Sequence, residues 1–477
     1  MELHEYARHD AVGLRDLIAT GEVTAGEVEQ AARTALAAAD AELNALALPP
    51  FVPALDHAAD GPLAGVPFLI KDSGPMARGV PSFLGSRGLE TVPGHDSELM
   101  TRLRAAGLVT LGLTTVPELV VSFSTESLRH GPTRNPWDLG RGVGGSSGGA
   151  AALVAAGAVP LAHGTDGAGS IRVPASCCGL VGLKPSRGRV SSGPDAAEVT
   201  FGMSCDFGLA RTVRDAATLL DAVHGPAVGD KYTAPPPARR YTEEVGADPG
   251  RLRVAVTTTA WSGVAVDPEV AAATVATGKV LEGMGHLVTE ASPEVDWDLV
   301  LGGVVPVAVA CVASAAASGT TPPDALPDSE RFEAVTRHAL DVVGDLGALD
   351  LMAALAAQNR VTRSVGAFFT GHDILVTPTL GQLPAPHGTL RYDDPGHTMT
   401  TWHESLFAYG PFTVVFNIAG LPAVSLPLGW SRDGLPIGVQ LVAPYGREDL
   451  LLRLASRLEE AVPWRDRIPG VFTGTGT

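Results

Sequence analysis

The sequence has 477 residues, of which 45% are hydrophobic and 18% are charged, a balance typical of soluble globular enzymes. This length can bury a large core and by itself allows two or three domains. The formal net charge of −18 argues against a nucleic-acid backbone or an anionic membrane as the main partner. Cys177, Cys178, Cys205 and Cys311 lack the paired spacing of a zinc site and predict free, mostly buried thiols.

The first predicted elements are helical and cover residues 2–39, with Thr24 as an N-cap. The opening segment MELHEYARHDAVGLRDLIATGEV carries charge throughout and lacks the apolar core of a signal peptide, so we expect a cytoplasmic location. The apolar run at residues 65–72 predicts a buried strand that opens into a turn. Residues 96–106 predict an amphipathic helix, and residues 108–112 predict the strand that follows it.

A glycine-rich stretch, GGSSGGAAALVAAGAVPLAHGTDGAGSIRVPASCCGLVGLK, comes next at residues 144–184. It places Ser146 and Ser170 at the two ends of one unit, a helix predicted at 148–157 and a buried strand at 159–164. The helix extends about 15 Å and the strand returns about 20 Å, so we expect the two hydroxyls to lie close together. The surrounding glycines let a backbone approach a ligand. This geometry predicts a catalytic pair.

The rest of the chain alternates between strands and helices. A helix is predicted at 211–224, and strands are predicted at 252–257, 286–290, 373–377, 423–428 and 437–442. The last two strands are joined through a turn at Asp433-Gly434. Residues 231–250 predict a proline-rich surface excursion. Because no long repeat is evident, the pattern predicts an α/β fold, a single domain over residues 1–477 around a large, mostly parallel sheet.

One segment without charge, residues 299–317, has a length that suits a bilayer. It is rich in alanine and glycine, contains Pro306, and has no flanking basic cluster or aromatic belt. We therefore favour a buried helix that lines a core or a pocket over a membrane span.

Lysine is rare in this chain, with Lys71, Lys184, Lys231 and Lys279 as its four examples. Lys71 ends the predicted strand at 65–72, where an arginine would be useless as a base because it never loses its proton. A desolvated lysine has a lowered pKa and can accept a proton near neutral pH. A snorkelling lysine is the structural alternative, but the two serines favour a base.

The glycine-rich stretch also has competing interpretations. It lacks the order of a phosphate-binding loop, and a dinucleotide fingerprint from Gly142 would need a glycine where Ser147 stands. Residues 144–148 do match the G-x-S-x-G nucleophile elbow of α/β-hydrolases, which needs a strand directly before the serine. Residues 139–143 predict a loop instead. The elbow, with Ser146 as nucleophile, stays as an alternative.

The thirteen histidines are scattered and none stands in an H-E-x-x-H motif. His163 lies inside a predicted strand and is interpreted as a core histidine, whereas His403 could border a pocket. We therefore predict no metal and no cofactor.

Five long segments follow one another along the chain: GPLAGVPFLIKD (61–72), TRNPWDLGRGVGGSSGG (133–149), GTDGAGSIRVPASCCGLVGLKPSRG (164–188), DILVTPTL (373–380) and AGLPAVSLPLGWSRDGLPIGVQLVAP (419–444). Through these segments the sequence resembles the amidase signature family over nearly its whole length. The resemblance implies an α/β/α sandwich around a twisted mixed sheet. Within the family, HGTDGAGSIR (163–172) followed by PASCCGLVGLKPSRGR (174–189) looks most like bacterial hydrolases of nylon-oligomer cyclic dimers and related broad amidases.

The resemblance also implies a Ser–cisSer–Lys triad, with Ser170 as nucleophile, Ser146 held by a cis peptide, and Lys71 as base. The oxyanion hole would be formed by the backbone N–H groups of Gly167, Ala168, Gly169 and Ser170. Ala168 departs from the family, which usually has a glycine there. We interpret Asp166 and Arg172 as a structural pair that supports this loop.

The expected function is therefore a cytoplasmic, cofactor-independent serine amidohydrolase that cleaves C–N bonds of small or medium, largely apolar or oligomeric amides. Ester or carbamate cleavage is an alternative on the same scaffold. A second alternative is the glutaminase subunit of a tRNA-dependent amidotransferase, and a third is a catalytically silent scaffold. We expect a small-molecule amide as partner, no nucleic acid and no membrane, and the family suggests a homodimer. The pocket walls are expected near residues 299–317 and 400–409.

Overall fold

The structure is a computed structural model that describes residues 1–318 and 331–474. Its α-helices are α1 (Leu3–Tyr6), α2 (Ala11–Thr20), α3 (Ala25–Leu43), α4 (Glu98–Ala105), α5 (Gly148–Ala155), α6 (Arg172–Cys178), α7 (Val213–Val223), α8 (Pro268–Gly283), α9 (Trp297–Ser318), α10 (Ala334–Val342), α11 (Ala348–Phe368), α12 (Met399–Tyr409), α13 (Val414–Ile418) and α14 (Glu448–Ala461). Short 3-10 helices lie at Glu118–Val120, Tyr241–Glu244 and Val343–Asp345.

The strands are β1 (Pro67–Lys71), β2 (Val109–Thr114), β3 (Glu126–Ser127), β4 (Gly131–Pro132), β5 (Arg134–Asn135), β6 (Asp138–Gly142), β7 (Leu161–Asp166), β8 (Val181–Lys184), β9 (Cys205–Ala210), β10 (Arg253–Val256), β11 (Leu287–Glu290), β12 (Ile374–Pro378), β13 (Ala423–Trp430) and β14 (Pro436–Val442). Eight of them form the central sheet, in the order β11-β10-β12-β14-β13-β8-β9-β7. Strands β1 and β2 form a separate parallel pair that packs beside β7.

The central sheet is mixed, as expected, but the prediction that it is mostly parallel is wrong. Strand β10 pairs in parallel with β11 and β12, whereas the other pairings are antiparallel. Strands β13 and β14 are joined by a short turn at residues 431–435, and a connection that short can only join antiparallel strands. The antiparallel strands β8 and β9, which the sequence interpretation did not identify, then extend the sheet to β7. Alternation of helices and strands along a sequence does not fix strand direction.

Helices cover both faces of the sheet. A Cβ atom built on Gly438 would lie 2.5 Å from Ser176 of α6, and one built on Gly429 would lie 2.5 Å from Ala273 of α8. Gly429 pairs with Ile437, and successive residues of a strand face opposite sides of a sheet. Helices α6 and α8 therefore lie on opposite faces, and the fold is the predicted α/β/α sandwich.

Most predicted elements lie where the sequence indicated them. The helix and strand of the glycine-rich unit are α5 and β7. Residues 2–39 contain α1, α2 and most of α3 rather than one continuous helix. Gly21, at φ 75°, ends α2, and Thr24 is the N-cap of α3. The Thr24 hydroxyl accepts a hydrogen bond from the backbone N–H of Glu27 at 3.2 Å, which confirms the predicted N-cap.

Two predicted loops contain more structure than expected. Residues 139–143 include most of β6, which pairs with β5 in a largely exposed ribbon. The proline-rich segment 231–250 is mostly exposed, but it contains a 3-10 helix and is anchored by the buried residues Ala234, Tyr241 and Glu244. Among the described residues, one helix, Trp297–Ala317, is long and apolar enough to cross a membrane by length and composition. In this fold it packs against α10 and α11.

Candidate active site

The two glycine-rich turns meet at one cavity. Ser146 and Ser170 both line this cavity, whose volume is about 700 Å³. The backbone N–H of Ser147 donates to the carbonyl oxygen of Ser170 at 3.2 Å, which joins the two turns directly. Helix α5 leads away from the first turn and β7 leads back to the second. The structure thus brings the two predicted serines to one place.

Lys71 lies at the end of β1 and is 1% exposed. Its Nζ is 2.8 Å from Ser146 Oγ and 2.6 Å from Thr165 Oγ1. Burial lowers the pKa of Lys71 from 10.5 to about 7, although the charges of Asp206, Asp166 and Asp72 act to raise it. An amine with this pKa is partly neutral at neutral pH and can accept a proton from the hydroxyl that it contacts.

The backbone around Ser146 brings its hydroxyl to this amine. The peptide bond between Gly145 and Ser146 is cis. A Cβ atom on Gly145 would lie 2.5 Å from the carbonyl oxygen of Ser122, so only glycine fits before the serine. Ser146 itself is 1% exposed. Its hydroxyl is therefore held between Lys71 and the cavity.

The loop before Ser170 presents unused backbone donors. Within the part of the chain that the structure describes, the N–H groups of Gly167, Ala168, Gly169 and Ser170 donate to no protein acceptor. Gly169 has a φ of 143°, and a Cβ atom there would lie 2.5 Å from Thr413 Oγ1. Three of the four loop residues also line the cavity. Free N–H groups at a cavity edge can stabilise a developing oxyanion.

Asp166 and Arg172 form a fully buried ion pair beneath this loop. Arg172 Nη2 donates to Asp166 Oδ1 at 2.8 Å and Nε donates to Oδ2 at 2.9 Å. Burial acts to raise the pKa of Asp166, but the charge and hydrogen bonds of Arg172 hold it well below its usual range. Arg172 also donates to Gln440 Oε1 at 2.6 Å, and Asp166 accepts from the backbone N–H of Ile171. The structure thus joins the two predicted partners, and their supporting role for the loop stays a prediction.

The rest of the cavity wall is largely apolar. As expected, α9 and α12 contribute to it, with Val304, Ala308, Val312, Leu406 and Phe407. His403 also borders the cavity. Burial lowers its pKa, and its Nδ1 lies 2.7 Å from the carbonyl oxygen of Met399.

The charges in the cavity wall have one sign. Among the described residues no arginine or lysine lines the cavity, whereas Asp195 and Asp206 do. Within residues 1–318 and 331–474, no three His, Cys, Asp or Glu side chains form a group that could hold a metal ion.

The alternative of a nucleophile elbow at Ser146 does not match the local structure. The elbow needs a strand of the central sheet that runs directly into the serine. Strand β6 ends at Gly142 and belongs to a separate two-stranded ribbon with β5. Ser146 lies beyond that strand, after Gly145 and a cis peptide bond.

Two side chains of the site had no role in the sequence interpretation. Thr165, whose hydroxyl contacts Lys71, lies within the matched family segment, but nothing in that segment marks it as a partner of the amine. Asp206 lies on β9, an element that was not predicted. Its position beside Thr165 follows from the strand pairing, which no local sequence signal indicates.

Comparison with known proteins agrees with the fold. The sequence model of the family described as Amidase matches residues 28–452. The chain belongs to the amidase family. It is therefore a hydrolase of amide C–N bonds, and the resemblance seen in the sequence is confirmed.

Two curated amidases, both named 6-aminohexanoate-cyclic-dimer hydrolase, are similar to this one. The protein from Paenarthrobacter ureafaciens is 41% identical and the protein from Pseudomonas sp. (strain NK87) is 40% identical, each over 96% of both chains. A solved structure of 6-aminohexanoate cyclic dimer hydrolase complexed with substrate superimposes with a TM-score of 0.88 at 36% identity. That match covers 98% of this amidase and 99% of the solved chain.

Proposed function

We propose that this amidase cleaves its substrate through an acyl-enzyme on Ser170, with Ser146 as proton relay and Lys71 as base. The observation that carries the proposal is the 2.8 Å contact between Lys71 Nζ and Ser146 Oγ at a cavity that Ser170 also lines. A buried lysine whose pKa is about 7 matches the requirement that a general base titrate near the working pH.

In the acylation step, Ser170 Oγ attacks the carbonyl carbon of the amide. Its proton passes to Ser146 Oγ while the Ser146 proton passes to Lys71 Nζ. The carbonyl oxygen becomes an oxyanion, which the N–H groups of residues 167–170 stabilise. One such donor contributes roughly 3 kcal/mol to stabilising the transition state.

The tetrahedral intermediate then collapses and the C–N bond breaks. The Lys71 ammonium returns its proton through Ser146 to the leaving nitrogen, which departs as an amine. Water attacks the remaining ester in the same way, releasing the carboxylic acid and restoring the Ser170 hydroxyl. Protons balance over the cycle, because Lys71 gains and loses one in each half-reaction.

The cavity favours a neutral, largely apolar amide. No arginine or lysine lines it among the described residues, and residues 319–330 contain neither in their sequence. A buried substrate carboxylate would therefore lack a cationic partner, and burying an unpaired charge is costly. This disfavours the glutaminase alternative, because glutamine would bring a carboxylate into the cavity. The cyclic dimer of 6-aminohexanoate, named for the similar hydrolases, is a neutral diamide that meets these conditions.

The test is a substrate panel assayed on the isolated chain. It contains the cyclic dimer, small apolar amides, the matching esters and carbamates, and glutamine, with Ser170→Ala as the control for every substrate. We expect hydrolysis of neutral amides, with esters and carbamates as additional substrates of the same acyl-enzyme, and no release of ammonia from glutamine. Hydrolysis of glutamine alone would replace the proposal by the glutaminase alternative.

Cofactor independence, the cytoplasmic location and the homodimer stay predictions. Turnover that is unchanged after dialysis against a chelator is the expected result for the first of these. Loss of turnover that added metal restores would contradict it.

A further inference from the structure

A carboxylate that this mechanism does not use lies beside Lys71. Asp206 on β9 is paired directly with Thr165 on β7 in the antiparallel ladder. Residues opposite each other in such a ladder carry their Cβ atoms about 4.5–5.5 Å apart on one face of the sheet. The Thr165 hydroxyl is 2.6 Å from Lys71 Nζ. The Asp206 side chain therefore stands next to the amine.

Asp206 is packed in place by its neighbours. His163 lies two residues before Thr165 on β7, hence on the same face, and its Nε2 is 3.3 Å from Asp206 Oδ1. Ser192 Oγ donates to the other carboxylate oxygen at 3.4 Å. A Cβ atom on Gly74 would lie 2.5 Å from His163 Cε1 and 2.7 Å from Asp206 Oδ1. The bare backbone of Gly74 therefore closes this cluster.

The charged and titratable groups around Lys71 differ in the partners that offset their charge. Asp72, Asp166, His163 and Asp206 are its electrostatic neighbours. Asp166 is bound by Arg172. The two oxygens of Asp72 accept hydrogen bonds from loop residues 82–85.

His163 is buried, and burial lowers its pKa, so the ring is neutral at neutral pH. Among the described residues, the ion-pair contact of Asp206 is with this histidine. Among the described carboxylates near Lys71, Asp206 is thus the one whose negative charge is offset neither by an arginine nor by a set of backbone donors.

We propose that Asp206 is a positioning residue whose carboxylate stabilises the protonated form of Lys71 after Ser146 has passed on its proton. The proton stays on Nζ and no bond to Asp206 forms, so the contribution is electrostatic. Lys71 and Asp206 become an ion pair while the oxyanion exists and cease to be one when the amine leaves. This inference rests on the proposed relay through Ser146.

The test is the pH dependence of kcat/KM in Asp206→Asn, which keeps the shape of the side chain and removes its charge. Without the carboxylate the ammonium is less stable, so the acid limb of the profile moves to lower pH by about one unit. The plateau kcat falls by about tenfold, because a less basic Lys71 accepts the proton less readily. A residue with a purely structural role would lower kcat or Tm and leave the limb in place.

Asp206→Ser provides the same loss of charge with a smaller side chain, in case asparagine prevents folding at this packed position. Asp195→Asn is the matched control. It removes another carboxylate of the cavity wall, but that side chain is 62% exposed and its charge is screened by solvent, so the limb should not move.

An acid limb that stays in place, or moves to higher pH, in a folded Asp206 variant would overturn the inference. Failure of the proposed function is distinguishable, because it would appear in the wild type as an absent acid limb, or as full turnover in Lys71→Met.

Discussion

Lys71 Nζ and Ser146 Oγ are separated by 75 positions in the sequence and by 2.8 Å in the structure. The amine reaches the hydroxyl from the end of β1, and the hydroxyl is presented by the turn before α5. Both side chains are 1% exposed. The contact therefore depends on the packing of two distant segments, and its chemistry depends on the desolvation of the lysine.

This contact predicts how activity responds to pH. In the proposed mechanism neutral Lys71 is the competent form, and its pKa is about 7. Below that value kcat/KM should fall about tenfold per pH unit, because kcat/KM reports the protonation of the free enzyme. Burial lowers the pKa of His403, which also borders the cavity. A profile of kcat/KM measured above and below the pKa of Lys71 checks the prediction. A kcat/KM that does not fall at lower pH would contradict the proposed role of Lys71.

The same lowered pKa predicts how stability responds to pH. Lys71 has a pKa of about 7 in the folded chain, against 10.5 for an ordinary lysine side chain, so between these values the unfolded chain binds the extra proton. The free energy of unfolding of the wild type should therefore rise through this window by about 1.4 kcal/mol per pH unit relative to Lys71→Met, which cannot titrate.

Urea unfolding of both proteins at a pH of about 7.5 and of about 9 tests this linkage. The advantage of Lys71→Met should be larger at the lower pH. A difference between the two proteins that is independent of pH would mean that Lys71 is not desolvated as the structure indicates.

The sequence predicted the local parts of this site better than their assembly. Ser146, Ser170 and Lys71 could be chosen as candidates because the two serines lie in glycine-rich turns and the lysine ends an apolar strand. The direction of β8 and β9 could not be predicted, since it depends on pairings such as that of β8 with β13. Asp206 was missed for the same reason, because only the register of β9 against β7 brings it to Lys71.

The two serines are predicted to differ in their chemistry. Ser170→Ala removes the proposed nucleophile and should abolish covalent labelling by a fluorophosphonate together with turnover. Ser146→Ala keeps the nucleophile and loses the relay, so labelling should persist at a rate reduced by roughly 10²–10⁴-fold.

Mass spectrometry of the labelled proteins measures both effects, with Ser314→Ala as a control because Ser314 lines the cavity outside the proposed triad. Label on Ser146, lost in Ser146→Ala and retained in Ser170→Ala, would instead support the elbow.

The buried pair of Asp166 and Arg172 predicts a large loss of stability when it is broken. Both side chains are 0% exposed, so Asp166→Asn leaves the guanidinium without its counter-charge. Breaking such a pair costs about 3–5 kcal/mol. The matched control is Glu460→Gln, which breaks the exposed pair with Arg457, where the side chains are 59% and 49% exposed and the expected cost is about 0–1 kcal/mol.

Urea unfolding of the two variants gives the comparison directly. Asp166→Asn should also lower kcat, because Asp166 accepts from the backbone N–H of Ile171 next to the proposed nucleophile, and a displaced loop misdirects the oxyanion donors. Equal losses of unfolding free energy in the two variants would show that the buried pair does not stabilise this loop. A loss of stability in Asp166→Asn with unchanged kcat would show that the pair stabilises the fold without positioning the oxyanion donors.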